Sequence, residues 1–375
     1  MTSTLGMTLA VEFAYWQTSI FKLLMAFVAV LIPAGGTVYL YLFKMVSFMQ
    51  SRLGPMEAGP YGSMQLLAEV GKFAQKEDIV PDRADEFVYK AAPYVVLLST
   101  FLLVLVVPFG PDAQFVDFDT GIFFALAVSS ISVIGILMAG WASASKYSLL
   151  GGLRAAGQLI AYELPLVLAV VGVVIQAGSL NMQDIVTAQT TGEIFGWGAL
   201  GNPFILTQFV GFLIFLIAVQ AELTQTPFDM PIAESELVSG YMTEYSGFRF
   251  LLFFIGEFAT ANIFAFLASV LFLGGWSVPP FLMDVIPGLA PQVEGLSGAL
   301  GGTTGFATAS FSPWFNLLGP IVMAIKMLGL TFVVYWVRFT YPRFREDQLQ
   351  RFAWKVLIPL ALVNIAVTGV LKVVW

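Results

Sequence analysis

Acidic side chains between residues 222 and 257 are the part of this sequence best suited to chemistry. They are Glu222, Asp229, Glu234, Glu236, Glu244 and Glu257. The segment leaves one apolar run, crosses a loop rich in proline and acidic residues, and enters a second apolar run. No lysine or arginine occurs from residue 155 to residue 248, so the loop acids have no cationic neighbour in the sequence. Carboxylates at membrane depth cost free energy and usually mark an ion path, a proton relay or a ligand site.

Two further ionisable residues, Glu163 and Lys326, interrupt long apolar runs. Glu163 would extend the set of acids into the membrane, and Lys326 could act as a counter-charge for them. The alternative is that each is a buried polar group paired with a hydroxyl or a backbone group. Ionisable residues inside membrane spans favour the functional interpretation.

The loop at residues 227–245 mixes aromatic residues with its carboxylates. Pro227 and Pro231 disfavour a helix at its start, so we expect irregular backbone there. Irregular backbone at membrane depth must line a cavity or be covered by protein. A cavity with apolar walls and a few acids suits a lipophilic ligand with a polar head. Arg52 could orient such a head, or it could simply meet a lipid phosphate.

The composition places these residues in a membrane protein. Of 375 residues, 58% are hydrophobic and 11% charged, whereas soluble domains carry about 25% charged residues. No long polar segment divides the chain, which predicts one transmembrane domain over residues 1–375. The absence of cysteine and histidine argues against the usual metal sites and against any cofactor held by this chain alone. The net charge of −7 argues against nucleic acid as a partner.

Continuous apolar runs of roughly 20 residues predict an all-α polytopic protein with about eight transmembrane helices in one bundle. The predicted spans are Thr18–Phe43, Phe87–Pro108, Gly121–Trp141, Ala155–Ala177, Pro203–Ala221, Phe248–Trp276, Pro313–Phe339 and Phe352–Val374.

Lysines and arginines in the connecting segments predict the orientation of the bundle. The segments near residues 44–86, 142–154, 222–247 and 340–351 carry or adjoin these cations, and the alternate loops, near 109–120, 178–202 and 277–312, carry none. The positive-inside rule then places the first group in the cytoplasm. An even number of spans puts both termini on the external side of the cell membrane. In a cell with two membranes, this is the inner one.

A short amphipathic helix is predicted within the first internal loop. Its polar face comprises Gln65, Glu69, Lys72 and Lys76. Its apolar face comprises Leu66, Val70 and Phe73. This pattern is typical of a helix lying at the membrane interface, although an ordinary surface helix would look the same.

The last internal loop carries more arginine than orientation requires. With Lys72 of the first loop, it gives a predicted docking set for a soluble partner: Arg338, Arg343, Arg345 and Asp347. Positive-inside charge alone is the other interpretation.

Four motifs, in order along nearly the whole chain, resemble the family of membrane subunits that form the quinone chamber at the heel of respiratory complex I. The first runs from Arg52 through Gly59-Pro60 to Gln65 and Lys72. The second is Lys146 to Arg154 followed by Gln158 and Tyr162-Glu163. The third joins Glu222, Pro227-Phe228-Asp229, Glu234-Ser235-Glu236, Glu244 and Glu257. The fourth contains Arg338, Pro342-Arg343, Arg345 and Asp347-Gln348.

The resemblance implies a quinone tunnel that opens to lipid and reaches an iron–sulfur cluster in an adjoining peripheral subunit. The residues it assigns to the quinone path are Arg52, Gln65, Phe228, Asp229 and Arg249. The acids it assigns to charge transfer are Glu163, Glu222, Glu234, Glu236, Glu244 and Glu257. Quinone would be the substrate, and the partners would be other membrane-arm subunits, the peripheral iron–sulfur subunits and lipid.

The sequence also departs from that family. Charged residues that the family often carries are replaced at Gln225, Ile232, Leu42, Phe43 and Ser130. These departures leave open an equivalent subunit of a ferredoxin- or F420-linked complex or of a membrane-bound hydrogenase. A stand-alone ion transporter and a purely structural anchor are further alternatives.

Overall fold

The computed structural model describes residues 20–110 except residue 21, then 114–191, 202–277 and 313–374, and within these ranges it contains helices and no strand. The main helices are α1 (Lys22–Met49), α2 (Gln65–Gln75), α3 (Glu86–Val104), α4 (Gly121–Ala142), α5 (Lys146–Ala177), α6 (Met182–Thr191), α7 (Phe209–Glu222), α8 (Gly247–Phe272), α9 (Pro313–Thr340) and α10 (Glu346–Val373). The segment between α7 and α8, residues 223–246, is called the acid loop below.

Seven of the described helices are long and apolar enough to cross a membrane. The remaining predicted span, Pro203–Ala221, corresponds to α7, which is shorter but equally apolar and follows a single helical turn at Phe204–Thr207. The predicted all-α polytopic fold is therefore confirmed. The start of the first predicted span, at Thr18, and nearly all of the predicted loop at 277–312 lie outside the described residues.

Several predicted helix boundaries are wrong, including the start of α10, which lies at Glu346 rather than Phe352. α5 begins at Lys146 rather than Ala155, so Lys146 and Arg154 lie on its first turns and not in a loop. The sequence did not show this, because a cation at each end and a glycine pair in the middle of residues 146–154 interrupt the apolar run. α1 continues to Met49 rather than ending near Phe43, through a stretch of wide π-helical turns at Val38–Met45.

α5 and α8 form the centre of the bundle. α5 packs against α4, α7 and α10, and α8 packs against α3 and α9. α8 is the most deeply buried of the spans, as expected for a helix that is apolar on every side. The acid loop enters α8 directly, so its position depends on this central pair.

Glycines let α5 approach its neighbours at backbone distance. A Cβ atom on Gly151 would lie 2.7 Å from the backbone nitrogen of Tyr241 and 2.8 Å from the carbonyl carbon of Gly240, both in the acid loop. On the neighbouring face, a Cβ on Gly152 would lie 3.2 Å from the Cα of Gly140 in α4. The glycine pair therefore lets α5 touch the acid loop and α4 together.

The predicted amphipathic helix is present as α2. Leu66 of its apolar face is partly buried against a core cluster. Phe73 stacks on Phe250 of α8 with ring centroids 5.6 Å apart. Val70, predicted on the same face, is 36% exposed, so only part of that face is covered by this chain.

Gly151→Ala should destabilise the protein, because the added methyl group meets backbone atoms that cannot rotate away. Overpacking of this kind costs about 1–3 kcal/mol. Heat unfolding of the purified chain in detergent should show a lowered midpoint.

Gly157→Ala is the matched control on the same helix. A Cβ there would meet only the end of the Gln350 side chain, at 3.8 Å, so its unfolding midpoint should stay near that of the wild type. Equal midpoints for the two variants would contradict the close approach of α5 to the acid loop.

Candidate functional site

The first part of the acid loop is irregular backbone, as its prolines predicted. A short helix at Glu234–Leu237 and a single turn at Gly240–Met242 follow it. Three non-glycine residues have positive φ: Thr224, Ala233 and Val238. Such conformations cost of order 1–3 kcal/mol each and persist only where the surroundings fix them. The loop is therefore held by its contacts rather than by its own preferences.

Side chains and backbone from other elements supply the hydrogen bonds that the loop cannot make itself. The amide nitrogen of Gln158 in α5 donates to the carbonyls of Ala221 and Phe228, at 2.7 Å each. The backbone N–H of Phe344 donates to the carbonyl of Pro227 at 2.9 Å. The Gln158 contacts were not predicted. A polar side chain in an apolar span was the available signal, but the sequence could not show what it binds.

Phe228, predicted to line a quinone path, packs inside the protein. It is 4% exposed, and its ring lies 5.2 Å from that of Tyr162 and 5.5 Å from that of Phe344. Its ring thus joins the acid loop to α5 and to the connection between α9 and α10.

Asp229, the next residue, is a half-buried acid with an unmet hydrogen bond. One of its carboxylate oxygens, Oδ1, is buried without a partner, and the backbone N–H of Ala233 bonds the side chain. Burial, together with the negative charge of Glu257, raises the pKa of Asp229 to about 6, against the opposing effects of Arg338 and Arg343. The group can therefore change its protonation state near neutral pH.

Glu257 in α8 forms a partly buried ion pair. Arg338 Nη1 lies 3.0 Å from Glu257 Oε1, and Gln225 Nε2 donates to the same oxygen at 3.2 Å. The Arg338 guanidinium lies over the ring of Phe258, 5.4 Å from its centroid. Arg338, predicted to dock a partner, therefore has its charged group engaged inside this chain.

Glu222 ends α7 beside a small cavity of about 50 Å³ that Glu257 also lines. Residues with hydroxyl groups share the lining with apolar residues such as Val96, Leu103 and Phe253; they are Ser99, Ser129, Ser132, Thr224, Tyr241 and Thr260. Glu222 Oε2 is buried and has no hydrogen-bond partner. A cavity of this size with several polar groups in its wall accommodates ordered water, so Glu222 and Glu257 border one space that water can occupy.

Glu163 lies on α5 near this cavity. It is half-buried and hydrogen-bonded to the hydroxyl of Ser130, and it is close enough to Glu222 for the two carboxylates to interact electrostatically. The structure therefore brings Glu163, Glu222 and Glu257 into neighbouring positions within the bundle.

Glu236 lies at the surface end of the acid loop between two arginines. Arg154 Nη1 is 2.7 Å from Glu236 Oε2, and Arg343 pairs with the other carboxylate oxygen. The hydrogen bond from Arg154 and the nearby positive charges lower the pKa of Glu236. Glu236 has no cationic neighbour in the sequence, but it is paired in the fold. Its partners come from distant parts of the sequence.

The remaining loop acids make no ion pair with any described residue. Glu234 is exposed and Glu244 is half-buried. The backbone carbonyl of Glu244 accepts a hydrogen bond from the hydroxyl of Tyr89 at 2.7 Å.

Arg249 joins the first turn of α8 to the first internal loop. Its Nη2 lies 2.9 Å from Asp78 Oδ2, and its guanidinium lies over the ring of Tyr89. The hydroxyl of Ser246 donates to the carbonyl of Glu77 at 3.1 Å. The end of the first internal loop is thereby fixed against the end of the acid loop.

The other first-loop candidates make contacts within their own segment. Arg52 is exposed and donates to Gln50 at 2.8 Å, and Gln65 donates to Glu69 at 3.3 Å. Lys72 lies over the ring of Phe73. In the last internal loop, Arg345 and Asp347 form an exposed pair, 2.7 Å apart.

Lys326 does not pair with any of these acids, so its predicted role as a counter-charge is wrong. Its ammonium donates to three backbone carbonyls, those of Leu273, Gly275 and Ser277, at 2.7–2.8 Å. These carbonyls follow the end of α8, where helices leave acceptors unpaired. Lys326 therefore caps α8 at the end opposite the acid loop.

No group of three or more residues that could hold a metal ion occurs among the described residues.

Comparison with known proteins places these residues in a family context. Residues 21–369 match the family model described as NADH dehydrogenase. The chain is 40% identical over 365 residues to the H subunit of NADH-quinone oxidoreductase from Brevibacillus brevis, covering 97% of this chain and 96% of that protein. It is 43% identical over 330 residues to the proteins of the same name from Bacillus cytotoxicus and Bacillus thuringiensis, covering 88% of this chain and 86% of each.

The raised pKa of Asp229 predicts a pH-dependent contribution to stability. The folded-state pKa, about 6, exceeds the ordinary value of 3.8. The contribution is therefore fully present at low pH and is lost as the pH rises through that window. Asp229→Asn removes this dependence, so its unfolding midpoint relative to wild type should rise between about pH 4 and pH 7.

Infrared difference spectra of wild type against Asp229→Asn provide the direct measurement. The carboxylic acid C=O band assigned to Asp229 should disappear with a midpoint near pH 6. A midpoint at the ordinary value of aspartate would contradict the burial of this side chain.

Proposed function

The chain belongs to the NADH dehydrogenase family, and on that premise we propose that its acid loop forms a wall of the quinone-binding chamber of respiratory complex I. The chain is a membrane subunit of that NADH:quinone oxidoreductase, and quinone is the substrate of the complex. In this proposal the chain itself is not reduced or oxidised. It places and protonates the quinone, while a partner protein supplies the electrons.

The observation that carries the proposal is the pair of carboxylates at the two ends of one fixed backbone segment. Glu222 and Asp229 each have a buried oxygen without a hydrogen-bond partner, and the backbone beside each is held by Gln158. Quinone reduction to quinol takes up two electrons and two protons. A half-buried acid with a pKa of about 6 is suited to give and regain a proton near neutral pH.

The quinone path in this proposal includes Arg52, Gln65, Phe228, Asp229 and Arg249. Asp229 is the proton donor among them, since its unpartnered oxygen is available for one more hydrogen bond. Phe228 and Arg249 support the path indirectly. Phe228 anchors the loop between Tyr162 and Phe344, and Arg249 ties α8 to the first internal loop through Asp78.

Coupling to proton translocation in this proposal uses the acids that continue into the bundle. Glu222 and Glu257 border the small polar cavity, and Glu163 lies next to Glu222. Ordered water in the cavity would complete the connection between them. Glu234, Glu236 and Glu244 form the surface end of this series, and the arginine pairs of Glu236 keep its carboxylate ionised.

The partners proposed are the other membrane-arm subunits, lipid and the peripheral iron–sulfur subunits. Lys72, Arg345 and Asp347 are exposed, which suits docking of a peripheral protein on the cytoplasmic face. An open cavity of about 480 Å³ is lined in part by Arg343, Arg345 and Asp347. Both termini would lie on the external side, as the distribution of positive charge indicates.

Glu222→Gln and Asp229→Asn should each impair quinone reduction by the assembled complex while assembly survives. Each change keeps the shape of the side chain and removes its exchangeable proton, and loss of a positioned acid or base costs roughly a hundredfold or more. The measurement is turnover with quinone, alongside proton translocation in membrane vesicles.

Asp82→Asn is the control, since this acid of the first internal loop is exposed, makes no ion pair with the described residues and has no part in the proposal. Co-purification of iron–sulfur subunits with the tagged chain would separate this function from a stand-alone transporter, which should instead carry ions as a single chain in liposomes. Unchanged quinone turnover and proton translocation in both the Glu222 and the Asp229 variants would rule the proposal out.

A further inference from the structure

Gln158 connects the centre of the bundle to both ends of the segment at residues 221–228. Its side chain is fully buried in the middle of α5. The single amide nitrogen donates to the carbonyl of Ala221, on the last turn of α7, and to the carbonyl of Phe228, in irregular backbone, at 2.7 Å each. Glu222 follows Ala221 and Asp229 follows Phe228, so one amide group fixes the backbone beside both acids.

The two carbonyls differ in what else they can bind. The carbonyl of Ala221 also accepts the backbone N–H of Thr224 at 3.1 Å. The carbonyl of Phe228 accepts only the Gln158 amide among the hydrogen bonds of the described residues. Loss of that donor would leave a backbone acceptor buried and unpaired, which costs about as much as a lost hydrogen bond. The Phe228 end of the segment therefore depends on Gln158 most strongly.

Other contacts support the middle of the segment but do not link its ends. The side chain of Gln220 donates to the carbonyl of Thr226 at 2.9 Å, and Phe344 N–H reaches the carbonyl of Pro227. The oxygen Oε1 of Gln158 is itself buried without a partner, a state that normally costs stability. The segment is therefore held by the N–H donors of the Gln158 side chain and not by its oxygen.

We propose that Gln158 is a positioning residue for proton transfer: by bonding both carbonyls, it sets the placement of Glu222 relative to Asp229. This inference rests on the function proposed above. Without the amide, the Phe228 end of the segment moves away from α5. Asp229 then faces water instead of its present charged and titratable neighbours, which are Glu257 of α8, Arg338 of α9, and Arg343 and Tyr241.

Gln158→Met tests the proposal, because methionine keeps the length and flexibility of glutamine and has no hydrogen-bond donor. In the assembled complex, quinone turnover should fall between about tenfold and a hundredfold, as for a reacting group displaced by about 1 Å. The limb of the pH–rate profile that reports Asp229 should move to lower pH, because water reaching the carboxyl relieves the burial that now raises its pKa.

Gln158→Glu is the second variant, and it is nearly isosteric with the native side chain. A protonated glutamate has one O–H donor in place of two N–H donors, and an ionised one has none. It should therefore retain more quinone turnover than Gln158→Met at the acid end of the pH range and lose that advantage as the pH rises. If the Gln158→Met variant does not assemble, Gln158→Glu alone tests the proposal.

Gln189→Met is the matched control. Gln189 is also a buried glutamine whose amide nitrogen donates to two carbonyls, those of Ile185 and Val270, at 3.2 and 2.8 Å. It lies on α6, away from the acid loop. Its replacement should lower thermal stability to a similar degree but leave the pH–rate profile in place. Electron transfer to an artificial acceptor that bypasses the quinone chamber reports the amount of assembled complex in every variant.

Wild-type turnover and pH profile in both Gln158 variants would overturn the inference, as would a loss that only follows the amount of assembled complex. A different result would contradict the function proposed above: Glu222→Gln and Asp229→Asn would then also leave quinone turnover unchanged. If only the inference about Gln158 fails, those two variants are still impaired.

Discussion

Backbone carbonyls enclosed among apolar helices need hydrogen-bond donors, and the supply of donors to the acid loop is the constraint on which the arrangement of this protein depends. One face of α5 meets part of that need and holds the loop by other contacts as well. Gly151, Arg154, Gln158 and Tyr162 recur at intervals of three or four residues and so share a side of the helix. Each contacts the loop in a different way. Gly151 admits its backbone, Arg154 pairs with Glu236, Gln158 donates to two carbonyls, and Tyr162 packs on Phe228.

Charge is divided between two environments along the same loop. At the surface, Glu236 is bound by arginines on both sides. Exposed pairs of this kind add little to stability, but they fix the direction in which the loop leaves the bundle. Deeper in the protein, Asp229 keeps an oxygen without a partner and lies near the ion pair of Glu257 and Arg338. The surface acid is therefore locked in one state, while the deeper one is free to exchange a proton.

Much of the fold could be predicted from the sequence, because bilayer thickness sets a length that apolar runs either reach or do not. The irregular start of the acid loop followed in the same way from Pro227 and Pro231. The pairing of charges could not be predicted, because helix packing, and not proximity in the sequence, brings Glu236 and Glu257 next to arginines. The first turns of α5 were missed for a similar reason. A cation at each end and a glycine pair interrupt their apolar residues, and the close contact at Gly151 is visible only in the fold. The resemblance to complex I directed attention to the acid loop and to α5, but the role proposed for Gln158 required its contacts.

α8 and α9 are fastened to each other at two places. Arg338, near the last turn of α9, pairs with Glu257 within α8, and Lys326, in the middle of α9, bonds three carbonyls that follow the last turn of α8. Two attachments so far apart oppose any sliding of one helix along the other, because a shift of even one residue would break both. In the proposed coupling, a change at the acid loop would therefore be passed on by side-chain rotation and exchange of water between these helices, while the two helices themselves form a rigid frame.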